Sequence, residues 1–85
     1  MSENAVNKVP HGFDHVAVVG LGLIGASLAA AISKSDPDIE VFGVDVDSRT
    51  CGEAISRGWV ANASAPESEA FSDFVKDRAD LVVLA

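Results

Sequence analysis

The stretch Val16-Ala-Val-Val-Gly-Leu-Gly-Leu-Ile-Gly25 constrains this chain more than any other. A continuous apolar run enters a glycine-rich turn, and the turn opens onto a run that favours helix, Ala26-Ser-Leu-Ala-Ala-Ala-Ile32. The three glycines have G-x-G-x-x-G spacing, and each has its own task. Gly20 permits a tight turn off the strand. Gly22 lacks a Cβ, so a pyrophosphate can approach the backbone. Gly25 lets the helix lie close against the strand. The free N–H groups of the first helical turn, together with the helix dipole, favour negative charge at that point.

The spacing alone is weak evidence, because glycine turns are common. Its context on both sides strengthens it. Asp45 lies twenty positions after Gly25, at the end of a second apolar run. A carboxylate there accepts hydrogen bonds from the hydroxyls of an adenosine ribose. The plainer alternative is a tight strand–helix turn in some other α/β protein.

The segments alternate. Residues 1–13 are polar and contain Pro10 and Gly12, which reads as a flexible leader. His15–Val19 is the first strand, and its Val16–Val19 run is continuously apolar as in a parallel sheet covered on both faces. A helix follows from Leu23 to Lys34, with Ile24, Leu28, Ala31 and Ile32 on one face. Pro37 ends it. Ile39–Val44 is a second strand that delivers Asp45. Asp47 or Ser48 caps a second helix, which runs to about Arg57 with Cys51, Ala54 and Ile55 inward and Gly58 as its C′ residue. Trp59–Ala61 reads as a short third strand. Ser64 reads as the cap of a third helix, with Pro66 in its first turn, Glu67 completing the box, and Phe71, Phe74 and Val75 inward. Residues 80–85 form a fourth, apolar strand.

This order predicts an α/β fold: a Rossmann-type doubly wound parallel sheet with right-handed crossovers and strand 4 beside strand 1. Residues 14–85 would be the first four strands of an incomplete dinucleotide-binding domain, truncated after strand 4. An apolar strand left as an open edge is an aggregation hazard, so the fragment is expected to be marginal by itself.

The remaining residues narrow the chemistry. A net charge of −7 argues against a nucleic-acid or anionic-membrane surface. No apolar run approaches the roughly 18–20 residues of a membrane span, and the N-terminus lacks the pattern of a signal peptide. The single Cys51 fits a reducing cytoplasm and reads as a small core residue. His11 and His15 have no partners at metal-ligand spacing, so no metal is expected. Glu67, Glu69 and Asp73 read as a solvated face rather than a paired-carboxylate site. No catalytic acid, base or nucleophile can be assigned.

Taken together, Gly20–Ala29, Val41-Phe-Gly-Val-Asp-Val-Asp47 and Ala79-Asp-Leu-Val-Val-Leu-Ala85 resemble the N-terminus of the prephenate/arogenate dehydrogenases of tyrosine biosynthesis. The resemblance covers about residues 14–85. It implies an NAD(P)-dependent enzyme that oxidatively decarboxylates prephenate or arogenate, a small aromatic-precursor acid. It also implies a C-terminal helical domain that forms a homodimer. Cofactor-binding roles carry over onto Gly20, Gly22 and Gly25, with Leu23 and Ile24 supplying backbone N–H groups, and onto Asp45. The family's catalytic histidine lies after the fourth strand, so the 85-residue chain alone is expected to be inactive.

Asp45 favours NAD over NADP, because its charge repels a ribose phosphate. Arg49 would offset that repulsion only if it turned toward the ribose; otherwise it lies on the exposed side of its helix. Two other readings compete. One is the cofactor half of another NAD-dependent dehydrogenase. The other is a nucleotide-sensing regulatory domain, like those of potassium-transport regulators. Asn62-Ala-Ser-Ala65 lacks the acidic residue with Ala and Thr that such domains typically carry after strand 3.

Overall fold

The computed structural model describes residues 14–85; the leader and His11 lie outside the described residues. The order is β1 (His15–Val19), α1 (Leu23–Ser35), β2 (Glu40–Val44), α2 (Ser48–Ser56), β3 (Asn62–Ser64), α3 (Glu69–Asp77) and β4 (Leu81–Leu84). The strands form one parallel sheet in the order β3-β2-β1-β4. Val16 pairs with Val41 and Leu81, and Val19 pairs with Val44 and Leu84, so the ends of β1, β2 and β4 are level.

Successive strand residues point to opposite faces, and the core divides accordingly. Val16, Val18 and Val41 pack with Leu21, Ala29, Cys51, Ala54 and Val60 on the face covered by α1 and α2. Ala17, Phe42 and Val44 pack with Phe74 of α3 on the other. The Phe42 and Phe74 ring centroids lie 4.7 Å apart. Helices on both faces explain why Val16–Val19 of β1 are all apolar instead of alternating. β3 and β4 are the two edges of the sheet, and Leu84 of β4 is 80% exposed.

Several local expectations are corrected. The third strand is Asn62–Ser64, not Trp59–Ala61. Gly58 has φ +77°, its N–H donates to Ile55 O, and the Trp59 N–H donates to Ala54 O. That pair of bonds is a Schellman closure of α2, so Trp59 belongs to the helix end. Ladder pairing starts when the Ala61 N–H reaches Val41 O at 2.9 Å.

The third helix is capped by Ser68, not Ser64. The Ser68 N–H donates to Ala65 O, which closes a turn with Pro66 at its second position. Ser68 Oγ then accepts from the Phe71 N–H at 3.1 Å and shares a 2.7 Å hydroxyl bond with Ser64.

The inward face of α1 runs through Gly25, Ala29 and Ile32, while Ile24 and Ala31 face solvent. A Cβ at Gly25 would strike the Gly20 carbonyl. The helix therefore turns its smallest residues to the sheet, which rotates Ile24 outward. In α2, Cys51 and Ala54 are buried as expected, but Ile55 is 42% exposed; in α3, Phe74 is buried but Val75, expected inward, is 40% exposed.

Candidate functional site

The glycine turn docks along the end of β2. Gly20 takes φ +98°, a conformation that side chains rarely adopt, and its N–H donates to Val44 O at 2.7 Å. The next N–H, that of Leu21, donates to Asp45 Oδ2 at 2.8 Å. The Leu21 side chain is buried in the core on the α1 face.

Gly22 is the N-cap of α1, and no side chain caps that helix. The amides of its first turn are thus not satisfied by a capping side chain, the usual arrangement where a helix receives an anion. Gly25 sits one turn on, pressed against Gly20. Gly20, Gly22, Leu23, Ile24 and Gly25, with Ala85, line an open depression of about 340 Å³. Gly22 differs from its neighbours. Its φ of −68° suits any residue, and a Cβ there would meet nothing within 4 Å. The fold itself does not need a glycine at 22. Leu23 and Ile24 stand at the mouth with side chains 86% and 75% exposed.

Asp45 closes the other side. Its Oδ1 accepts from the Asp47 N–H at 2.9 Å, and Oδ2 from Leu21. These bonds hold the carboxyl below its ordinary value. The Asp47 N–H contributes most, then Leu21, partly opposed by burial. Asp45 is therefore an anion at neutral pH, and its roughly four acceptor positions exceed the three backbone N–H groups, of Asp47, Leu21 and Val46, that act on it. Hollows of about 190 and 320 Å³ flank it.

The sequence-predicted residues Gly20, Gly22, Leu23, Ile24, Gly25 and Asp45 are thus brought to the same end of the sheet. Arg49 is exposed on α2, with its N–H donating to Asp47 Oδ1. Val46, 83% exposed, and Pro66 line the smaller hollow beside Asp45. Sequence reading missed both. Their signal was position alone: one follows the acid, and the other lies in the loop after β3.

Cys51 is buried beneath Asp45, its thiol 3.6 Å from Asp45 O and 3.8 Å from Ser64 O. Burial raises its pKa. His15 begins β1 at the opposite end of the sheet, 3.6 Å from a Glu40 oxygen and 3.7 Å from an Asp80 oxygen. Among the described residues no group of three or more His, Cys, Asp or Glu is placed to hold a metal ion, and no helix is long and apolar enough to cross a membrane.

No protein-family model matches the chain. A prephenate dehydrogenase of Bacillus subtilis (strain 168) is 30% identical over 70 residues, covering 82% of this chain and 18% of that protein. The chain resembles a portion of prephenate dehydrogenase. The crystal structure of prephenate dehydrogenase from A. aeolicus, in complex with hydroxyphenyl propionate and NAD+, superposes with a TM-score of 0.67. It is 21% identical, and the match covers 84% of this chain and 23% of that one. The structural likeness establishes the Rossmann-type α/β fold, and the sequence likeness returns the same family as the motifs. The chain spans about a fifth of the length of these prephenate dehydrogenases.

Proposed function

We propose that this chain is the NAD-binding portion of a prephenate or arogenate dehydrogenase. The observation that carries the reading is Gly22, a glycine without a packing reason, set at an uncapped helix start beside an anionic Asp45. A bound dinucleotide supplies that reason: its pyrophosphate needs the space that a Cβ would fill. The residues present fit the cofactor. The amides of Leu23, Ile24 and Gly25 would receive the pyrophosphate, and Asp45 would accept the ribose hydroxyls.

Bound NAD supplies a hydride acceptor for an oxidation whose substrate is a small aromatic-precursor acid of tyrosine biosynthesis. The chain's own residues bind and orient the adenosine half. We assign no catalytic acid or base among residues 14–85, and read them as the cofactor-binding part, inactive alone, of a larger enzyme that is homodimeric and cytoplasmic. NAD is the preferred cofactor over NADP. A carboxylate kept anionic by two backbone N–H donors repels a ribose phosphate, and Arg49 stays on the exposed side of α2.

Calorimetric titration of the chain with NAD and NADP tests this reading. NAD is expected to bind more tightly than NADP, and Asp45→Ala to weaken NAD and erase the preference. Tighter binding of NADP, with Asp45→Ala leaving NAD affinity unchanged, would refute it.

A further inference from the structure

Gly43 lies in the interior of β2, paired with Val18 on one side and Ala63 on the other. Glycine weakens a strand at such a position, and one found there often marks a close approach by another group. Here the approaching group is Leu21. A Cβ at residue 43 would stand 2.6 Å from Leu21 Cδ1, 3.1 Å from Cδ2 and 3.2 Å from Val60 Cγ1. Strands on both sides fix β2, so the leucine would have to yield.

Leu21 is the middle of the glycine turn. It is 3% exposed, and its own N–H is the one that reaches Asp45 Oδ2. The turn therefore rests on three consecutive residues of β2 and its exit. Gly43 receives the Leu21 side chain, Val44 O receives the Gly20 N–H, and the Asp45 carboxylate receives the Leu21 N–H.

We propose that Gly43 is a positioning residue for the cofactor site. By letting Leu21 sink onto β2, it sets how far the phosphate-facing helix start stands from the ribose-binding Asp45. This inference rests on the NAD-binding reading for its ligand, though the seating of the turn is a property of the free protein. A methyl group at 43 crowds the far end of the Leu21 side chain; because that side chain is only 3% exposed, it yields by carrying the turn with it, which lengthens the Leu21 N–H bond to Asp45. Weakening one hydrogen bond to a charged group by such a shift costs about tenfold or more in affinity.

The test uses the 85-residue chain and two kinds of readout. In the free protein, NMR follows the Asp45 carboxyl titration and hydrogen exchange at the Leu21 amide; calorimetry follows NAD. Gly43→Ala is expected to move the Asp45 titration up toward the ordinary carboxyl range, speed Leu21 exchange and weaken NAD about tenfold or more. Adding Leu21→Val removes both offending Cδ atoms and exchanges one carbon for another, a nearly volume-neutral swap. The double variant is expected to recover all three properties.

Leu21→Ala, which removes the seated side chain without crowding β2, should reproduce the loss and covers the case in which Gly43→Ala does not fold. Lys34→Ala is the control, because Lys34 is exposed in the last turn of α1, at the end of the helix away from the site. The inference is overturned if folded Gly43→Ala keeps the wild-type Asp45 titration and Leu21 exchange. It is also overturned if these shift while NAD affinity does not, if the double variant fails to recover, or if Leu21→Ala behaves as wild type. If wild-type protein does not bind NAD, the proposed function fails, and the titration and exchange data alone decide how the turn is seated.

Discussion

Gly22→Ala and Gly25→Ala change equivalent atoms three residues apart, and the structure predicts opposite outcomes. At Gly22 the backbone is ordinary and the new methyl meets nothing. Replacing a glycine N-cap by alanine costs about 0.5–1 kcal/mol. Restricting the unfolded chain returns about 0.4–1 kcal/mol. The net change in stability is therefore expected within about 1 kcal/mol of zero. Ligand binding should suffer, because the methyl occupies the approach to the helix start. Loss of one charge-assisted hydrogen bond, about 1.5–3 kcal/mol, weakens NAD roughly tenfold to a hundredfold. At Gly25 the methyl runs into the Gly20 carbonyl, so α1 must lift from β1. Overpacking of that kind costs about 1–3 kcal/mol or more, of which the better helix propensity of alanine recovers up to about 1 kcal/mol. Urea unfolding followed by Trp59 fluorescence resolves the difference, because 1 kcal/mol moves the midpoint by up to about 1 M in a protein this small. Calorimetry with NAD supplies the second axis. Unfolding of Gly22→Ala as severe as that of Gly25→Ala would refute the claim that the fold leaves Gly22 free. Undiminished NAD binding by Gly22→Ala would refute the claim that the open space serves a ligand.

Phe74→Ala removes the main α3 anchor, which packs on Phe42; it should cost about 3–5 kcal/mol in urea unfolding. A loss below about 1 kcal/mol would mean that α3 does not seat on the sheet as described. Asp45 and Asp80 both have carboxyl values below the ordinary 3.8; for Asp80 the causes are the N–H groups of Asp14 and then His15. Their contribution is present above the unfolded-chain value and is lost as pH falls through the folded values, because the unfolded chain binds those protons first. Thermal midpoints should therefore drop between about pH 5 and pH 2, with a shallower drop in Asp80→Asn; an equal drop in both proteins would contradict the assignment. Burial raises the Cys51 thiol, with the Asp45 and Asp47 charges adding to the effect. At pH 8 the native protein should react with iodoacetamide at least tenfold more slowly than the urea-unfolded chain, and equal rates would show that Cys51 is accessible.

The parts of the fold legible in the sequence are those whose signals are local. The run Val16–Val19 marks a doubly covered strand, Gly58 marks a helix end, and Gly20, Gly22 and Gly25 mark a strand–helix turn; these reappear with φ +77° at Gly58 and φ +98° at Gly20. The failures occur where two local signals compete or a distant contact decides. Ser64 and Ser68 are both eligible caps, and Pro66 resolves the choice by closing a turn between them. Trp59 has strand character, yet the Schellman bond to Ala54 O holds it at the helix end. The outward turn of Ile24 depends on Gly25 meeting the Gly20 carbonyl, a contact that apolar periodicity does not register.

The same distinction applies within the candidate site. The type and spacing of Asp45 are visible in the sequence, but its electrostatic state is not. That state follows from the Leu21 N–H, twenty-four residues away, meeting Oδ2 while the Asp47 N–H meets Oδ1. An uncapped helix start and a stabilised carboxylate share one short turn, so the site presents donors on one side and an acceptor on the other. A nucleotide with anionic phosphates and free ribose hydroxyls matches both polarities. One with a second phosphate on the ribose sets like charges together at Asp45. Neutralising the carboxylate in Asp45→Asn removes the repulsion but also weakens acceptance of the Leu21 N–H. The variant should therefore lose NAD affinity and selectivity together. A variant that gained NADP affinity while keeping full NAD affinity would show that Leu21 and Asp45 act independently.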